Sequence, residues 1–254
     1  VTLLEALMVL AAGVAAGTIN TVVGSGTLIT FPTLLAVGFS PITANVSNSL
    51  GLVPGSLSGT WGYRRELRGQ KRRIVRYGTA SLLGGTAGAL LLFELPAEAF
   101  DAIVPAMIAI ALVLVIFQPR LSGWLASRRD PDGPAQRDGG PVTLLLGWLT
   151  GVYGGYFGAA QGILLMAIFG IAINESLQRV NALKNVLATI VNLVAGIVFL
   201  FVADVAWEAV ALIAVGSAAG GQVGARVGRR LPPNVLRAVI VCVGLVAITQ
   251  LLAR

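Results

Sequence analysis

The sequence predicts an all-α polytopic membrane protein made of two homologous repeats, and three observations carry that prediction. Long apolar runs with few charges cover residues 3–37, 42–61, 77–93, 102–117, 142–173, 177–202, 207–227 and 234–252. Only 11% of the residues are charged while 56% are hydrophobic, against about 25% charged in an ordinary soluble domain. The chain also repeats itself. Gly17 and Gly24 recur as Gly151 and Gly158, 134 positions on, and Ser81, Gly84, Gly85, Gly88 and Ala89 recur as Ser217, Gly220, Gly221, Gly224 and Ala225, 136 positions on. Leu95-Pro96 likewise meets Leu231-Pro232. Shared apolar composition makes single leucines and glycines coincide, but not seven identities in order.

Each repeat reads as a long glycine-interrupted run followed by three helices. Residues 3–37 are long enough to cross a bilayer, yet they contain Gly17-Thr-Ile-Asn20-Thr-Val-Val-Gly24-Ser-Gly26-Thr27. Glycine and small polar groups suit backbone that faces something other than lipid. After Phe39-Ser40-Pro41 comes a helix over 42–61 with a polar start, Thr43, Asn45, Ser47, Asn48 and Ser49. The basic stretch 64–76 precedes a helix over 77–93, whose Gly84/Gly88 spacing makes a small-residue packing face rather than a site. An acidic turn, Glu94 to Asp101, leads to a helix over 102–117 that Pro119 ends. Residues 1–117 are the first membrane repeat, 118–141 a cytoplasmic linker and 142–254 the second repeat. In that second repeat 142–173 is again a long interrupted run, with Gly151-Val-Tyr153-Gly-Gly-Tyr156-Phe-Gly158-Ala-Ala-Gln161-Gly162 inside it. The helix over 177–202 again has a polar start, and helices over 207–227 and 234–252 complete the pattern.

Charge places the halves in opposite orientations. In the first half the loop at 64–76 is basic and that at 94–101 acidic; in the second, Asp204 and Glu208 stand at the first of these places and Arg226, Arg229, Arg230 and Arg237 at the second. Basic loops stay on the cytoplasmic side, so the repeats are inverted, with 64–76 and 120–137 cytoplasmic and the protein multi-pass in a bacterial inner membrane. For 226–237 to be cytoplasmic too, each long run must return to its starting side as a membrane hairpin. Eight elements in simple alternation, with each long run a single broken crossing, is the alternative.

Composition also excludes chemistry. There is no histidine and a single cysteine, Cys242, which removes imidazole catalysis, disulfides and thiolate metal sites. No carboxylate lies inside an apolar run apart from Glu5 and Glu208, each at the extreme start of its run, so no cofactor, metal or enzymatic activity is expected, and a protein-borne proton relay is disfavoured. The net charge of +7 follows the topology pattern and calls for no nucleic acid. The first run lacks a basic leader and a cleavage site, and is read as a membrane segment rather than a signal peptide.

The candidate substrate-binding residues cluster at the interruptions and at the helix starts that follow them. They are Asn20, Gly24, Ser25, Gly26, Thr27, Asn45, Ser47 and Asn48 in the first half, and Tyr153, Tyr156, Gly158, Gln161, Asn181, Lys184 and Asn185 in the second, with Asn192 deeper in its helix. Glycine breaks free backbone N–H groups, and a helix starting there presents a positive dipole end to an anion. Lys184 lies two turns into an apolar helix with Glu175 nine positions back. Paired with a transiently bound anion it contributes to a site; snorkelling to the interface is the other reading. The asparagines and serines equally suit helix–helix hydrogen bonds, and the tyrosines suit the core.

On these residues the chain resembles the sulfite exporter TauE/SafE family. The resemblance rests on Gly17-x-x-Asn-x-x-x-Gly24-x-Gly26 with Pro32 beyond it, the helix start Ala44-Asn-Val-Ser-Asn48, the second glycine-rich copy at 151–162, the basic loop and Gly84-Gly85 with Gly88. It covers nearly all of residues 3–253. It implies a two-repeat helical fold and movement of small sulfur-containing or organic anions such as sulfite. The family's glycine motif falls on Gly17, Gly24 and Gly26, and on Gly154, Gly155, Gly158 and Gly162. The chain reads Gly24-Ser25-Gly26-Thr27 where many members run glycines together, and Ala159-Ala160 in the corresponding place of the second copy, which bears on the ligand more than on the fold. The expectation is a secondary transporter by alternating access, with a small anionic substrate and the lipid bilayer as partners and a homo-oligomer left open. A small-solute channel or a non-transporting membrane scaffold are the alternatives.

Overall fold

Both long apolar runs fold as a helix, a glycine break and a shorter helix. The computed structural model describes residues 2–127, 138–227 and 233–252. The first run forms α1 (Leu3–Val22) and α2 (Thr27–Ala36), and the second forms α6 (Pro141–Tyr156) and α7 (Gln161–Ala172). Gly24 and Gly158 sit at the breaks with φ of 89° and 75°, a left-handed conformation that costs a side-chain-bearing residue about 1–2 kcal/mol. Ala160 accepts that conformation at φ 58° just before α7. The short helices have 10 and 12 residues. At about 1.5 Å per residue each reaches only about half of a bilayer core of roughly 30 Å.

The chain reverses at each break. Gly26 packs against the Ala16 carbonyl and the Asn20 side chain, so α2 turns back along α1. Val37, Gly38 and Phe39, just past α2, line the same cavity as Glu5 in the first turn of α1. In the second copy, Asp138 before α6 and Ile173 after α7 form an antiparallel bridge. Each run therefore begins and ends at the same end of the molecule, the hairpin geometry rather than a single broken rod.

The remaining helices are α3 (Pro41–Gly62), α4 (Lys71–Glu94) and α5 (Ala97–Ser127), then α8 (Leu177–Val202), α9 (Trp207–Val227) and α10 (Pro233–Leu252). Two helices differ in their bounds from the sequence reading. Helix α4 starts at Lys71, so Lys71, Arg72, Arg73 and Arg76 belong to its first turns rather than to a loop. Helix α5 starts at Ala97 and continues through Pro105 and Pro119 to Ser127, overrunning the expected linker start at 118. Proline removes one N–H and crowds the carbonyl four residues back, but in an apolar helix it bends the chain without ending it. Of the expected linker, residues 128–137 lie outside the described residues, as do Arg229 and Arg230.

Packing shows internal symmetry. α1 lies on α9 and α6 lies on α4, the same pairing with the halves exchanged. Gly17 backs onto Ser217, and Gly151 onto Ser81. Gly84 and Gly88 face the carbonyls of Trp148 and Val152, while Gly220 and Gly224 face those of Val14 and Thr18. These glycines let backbones approach closely, which substitutes for a hydrophobic driving force inside lipid. The corresponding helices α3 and α8 run antiparallel: Thr60 meets Thr189 at 3.1 Å, Asn192 donates to Ser56 Oγ at 3.4 Å, and Leu50 packs on Gly196.

By length and composition, four stretches among the described residues suit a membrane crossing: Leu3–Val22, Glu98–Leu121, Leu177–Val202 and Trp207–Arg226. α3 and α4 have 22 and 24 residues but are more polar, α3 through its serines, threonines and asparagines and α4 through its basic first turns. The molecule is an all-α polytopic membrane protein.

Candidate functional site

The site is built where the two breaks meet. The backbone N–H of Gly162, in the first turn of α7, donates to the carbonyl of Gly24 at 3.0 Å, and a Cβ on either glycine would run into the other's backbone. α2 leads from this junction to the cavity beside Glu5, and α7 leads to Ile173 and its bridge to Asp138. These are opposite ends of the molecule. Beyond Ile173, the start of α8 meets the loop after α3, since Gln70 Nε2 donates to the Arg179 carbonyl at 3.0 Å. The start of α3, by contrast, meets the far end of α8, where Ala206 N–H donates to Ser47 Oγ at 3.0 Å. Two short helices thus point their N-termini, the positive ends of their dipoles, toward one buried junction.

A helix that stops inside protein leaves carbonyls without partners, and the opposite repeat supplies them. α1 ends under three side chains of α8. Lys184 Nζ donates to Asn20 O at 2.9 Å and Thr21 O at 3.4 Å, while Asn181 and Asn185 donate to Thr21 O at 3.2 and 3.3 Å. α6 ends in the same way, with Asn45 Nδ2 of α3 on Tyr156 O at 2.9 Å. Asn45 and Asn181 are counterparts 136 positions apart, so one device serves both hairpins. A cation at a helix C-terminus also complements its dipole.

Of the two readings of Lys184, the structure removes snorkelling. Its side chain is fully buried, not snorkelled, and it is held by main-chain carbonyls rather than left free. Its stem packs beside Gly162, so it remains at the junction, but its ammonium is engaged with the end of α1. Sequence hid the partner because α1 lies more than 160 positions earlier.

The other predicted residues divide. Ser25 and Gln161, one on each break, are 1% and 4% exposed, and Ser25 Oγ and Gln161 Nε2 have no hydrogen-bond partner. Tyr156 Oη, Asn45 Oδ1 and Asn181 Oδ1 are likewise buried and unpartnered. Asn48 closes the start of α2, donating to Thr27 Oγ1 at 3.3 Å and accepting from Thr30 Oγ1. Tyr153 donates to the Ala159 carbonyl and straps its own break. Asn20 joins Asn192 on Ser56 Oγ, where α1, α3 and α8 meet. Ser47 is not brought to the junction: its hydroxyl caps the N–H of Ala206 before α9. No Asp or Glu appears among the buried polar residues described. The sequence reading missed Thr30, one turn past Thr27, and Ser56, whose counterpart 136 positions on is Asn192.

Residues 9–251 match the family model described as Sulfite exporter TauE/SafE. The chain belongs to this family. It is similar to the probable membrane transporter protein YfcA of Escherichia coli strain K12, with 28% identity over 93% of this chain and 86% of that protein. It is also similar to the probable membrane transporter protein ORF9 of a Sinorhizobium species, with 30% identity over 94% of this chain and 88% of that one. A probable membrane transporter protein of Haemophilus influenzae shares 25% identity over 90% of this chain and 87% of its own length. No solved structure matches.

As a TauE/SafE protein it is a membrane transporter of a small solute, not an enzyme. The glycines that carry the family resemblance all have close-packed backbones here. Gly17 meets Ser217, Gly24 meets Gly162, Gly154 meets the Gln161 side chain, and Gly155 meets the Gly85 carbonyl. In this TauE/SafE transporter the motif thus brings two reversing hairpins into contact and leaves the buried donors of Ser25 and Gln161 at their junction.

Proposed function

We propose that the protein is a secondary transporter for a small anion, sulfur-containing such as sulfite or a sulfonate, moved by alternating access. The observation that carries this reading is the meeting of two half-length helices at their N-termini, with Ser25 Oγ and Gln161 Nε2 buried there without partners. Helix N-termini favour anions, buried donors without acceptors are costly unless a ligand supplies one, and no carboxylate is among the buried polar residues described. In this reading Gly24, Gly26, Thr27, Asn48 and Gly158 form the junction around the two donors, Tyr156, Asn45, Asn181 and Asn185 border it, and Lys184 holds the end of α1 beside it. Sulfur enters only through the family, whose members carry the sulfite description.

The chain then divides into a first repeat over 1–117, a linker over 118–141 and a second repeat over 142–254, in a bacterial inner membrane with 64–76 and 120–137 cytoplasmic. The antiparallel run of α3 against α8 and the return of each hairpin support that arrangement. Isotope counterflow in proteoliposomes tests the function, scanning sulfite, sulfoacetate, sulfate, thiosulfate, acetate and chloride beside Ser25→Ala and Gln161→Leu. Saturable exchange of one or a few anions is expected, with apparent affinity weakened roughly ten- to a hundred-fold in each variant, since a hydrogen bond to a charged partner is worth about 1.5–3 kcal/mol. Flux without saturation or exchange identifies a channel instead, and silence for every anion rejects the reading.

A further inference from the structure

The two ends of the molecule are built on the same plan and finished differently. At one end a charged cluster joins five pieces of chain. Arg73 of α4 donates to Asp138 before α6 at 2.8 Å and to Glu175 between α7 and α8 at 2.7 Å, and Arg179 of α8 donates to Glu175 at 2.7 Å. Arg179 Nη2 also reaches the Arg68 carbonyl at 3.0 Å, and Gln70 Nε2 bonds the carbonyls of Glu66 and Arg179. Tyr77 closes the set on the Asp138 carbonyl. The Arg73 side chain is only 7% exposed, so its two ion pairs are not solvent-screened surface pairs of little value.

The internal repeat places counterparts of all four charged residues at the opposite end. Subtracting 136 carries Glu175 to Phe39 and Arg179 to Thr43; adding 136 carries Arg73 to Ala209; and subtracting 134 carries Asp138 to Leu4. None of the four is charged. Where the cluster binds the pieces together, its counterpart is a cavity of about 390 Å³ lined by Glu5, Val37, Gly38, Phe39, Ala206, Trp207 and Glu208. The mouth and the cluster are separated by the length of α3, 22 residues, or about 33 Å at the usual rise.

We propose that the Arg73–Asp138–Glu175–Arg179 cluster is the latch of one gate, shown here closed, and that the cavity beside Phe39 and Trp207 is the open mouth of the other. The latch joins α4 and α6 to the returning end of α7 and the start of α8. Those are the segments that must separate for the α7 hairpin to admit solute from its own side. The other end bears no charge at the four counterpart positions, and its cavity is lined by Val37, Phe39, Ala206 and Trp207 together with Glu5 and Glu208. A latch on one side whose four charges have no charged counterparts on the other makes the two conformations unequal in energy, with this one favoured while the latch is intact. The proposal concerns the conformational cycle alone and holds whatever solute is carried.

Paired cysteines at equivalent positions read the two gates directly. Val37 and Ile173 are 136 positions apart; Val37 lines the open cavity, and Ile173 is 2% exposed behind the latch. In a Cys242→Ser background and in lipid nanodiscs, where both faces are reachable, Val37→Cys should react quickly with a charged thiol reagent and Ile173→Cys slowly. Adding Glu175→Gln should speed labelling at residue 173 at least tenfold and slow it at 37 by a comparable factor. Asp138→Asn, which removes one acceptor of Arg73 and leaves the other, should give a smaller shift in the same directions, and it stands in if Glu175→Gln does not fold. Faster labelling at 173 with no loss at 37 means local fraying and overturns the proposal, as does no change at either position. Because no transport is measured, failure here leaves the anion reading untouched, and failure of that reading leaves the gates untouched.

Discussion

Gly162 donates its backbone N–H to the carbonyl of Gly24 at 3.0 Å, and this bond joins the break of one hairpin to the break of the other. The two residues are not counterparts: the repeat matches Gly24 with Gly158. The contact is therefore slightly off the internal symmetry, with α7 entering the junction in its first turn while the first hairpin presents its loop. It also makes the spacing between the two half-length helices intolerant of side chains.

Gly24 and Gly38 separate backbone strain from crowding. Both have positive φ, 89° and 102°, but only Gly24 has a neighbour where a Cβ would go. Gly38→Ala should cost about 1–2 kcal/mol from the left-handed conformation alone. Gly24→Ala should lower the thermal midpoint in detergent at least twice as far, because Gly162 must also move. Equal shifts in the two variants contradict the close junction.

The shared cap on α1 predicts an order of effects. Lys184→Met removes a charged donor from two carbonyls, worth about 1.5–3 kcal/mol, whereas Asn185→Ala removes one of several donors on Thr21 O and should cost about 1 kcal/mol. Differential scanning fluorimetry in a single detergent gives the ranking. A lysine that snorkels would show no loss on replacement by methionine.

Matched substitutions test the exchanged pairing of the halves. Gly88 faces the Val152 carbonyl and Gly224 the Thr18 carbonyl, so Gly88→Val and Gly224→Val should each destabilise by several kcal/mol through overpacking of close backbones. The expected sign is a similar loss of the monodisperse peak in size-exclusion chromatography for both. A severe defect in one with wild-type behaviour in the other breaks the symmetry argument.

Glu175 gives the protein an acid limit. Burial pushes its carboxyl up, but hydrogen bonds from Arg73 and Arg179 and the charges of both arginines outweigh burial and hold it below the ordinary 4.5. The stability it contributes is complete above that ordinary value and is lost as pH falls through the lower, folded one. The thermal midpoints of wild type and Glu175→Gln should differ at about pH 6, and the gap should narrow as the pH falls below the ordinary 4.5. A gap that persists in acid assigns the effect to packing rather than charge.

The helix ends show where sequence reading reaches its limit. The bounds of α8 and α9 follow from apolar length between polar turns, and both match the reading from sequence. Pro119 and the basic residues from Lys71 to Arg76 misled it, because helix tolerance of proline and the capture of arginines by distant carboxylates depend on neighbours. At the site, polar residues beside glycines marked the right segments, yet the roles of Ser47 and Lys184 were set by Ala206 and Asn20, each more than 150 positions away.

What the sequence determined by itself was the membrane class, the duplication, the reversal of charge between halves and the two interruptions. All four are properties of composition and of spacing along the chain, where apolar length and glycine act locally. Only the tertiary structure decided that the hairpins touch at Gly24 and Gly162, that Lys184 caps α1, and that Ser25 and Gln161 are the buried donors left over. It also decided that Arg73, Asp138, Glu175 and Arg179 meet at one end and that a cavity beside Phe39 and Trp207 lies at the other. Those outcomes depend on which carbonyl a buried donor meets across the repeat boundary, and a hydrogen bond between residues 160 positions apart leaves no periodicity in the chain to read.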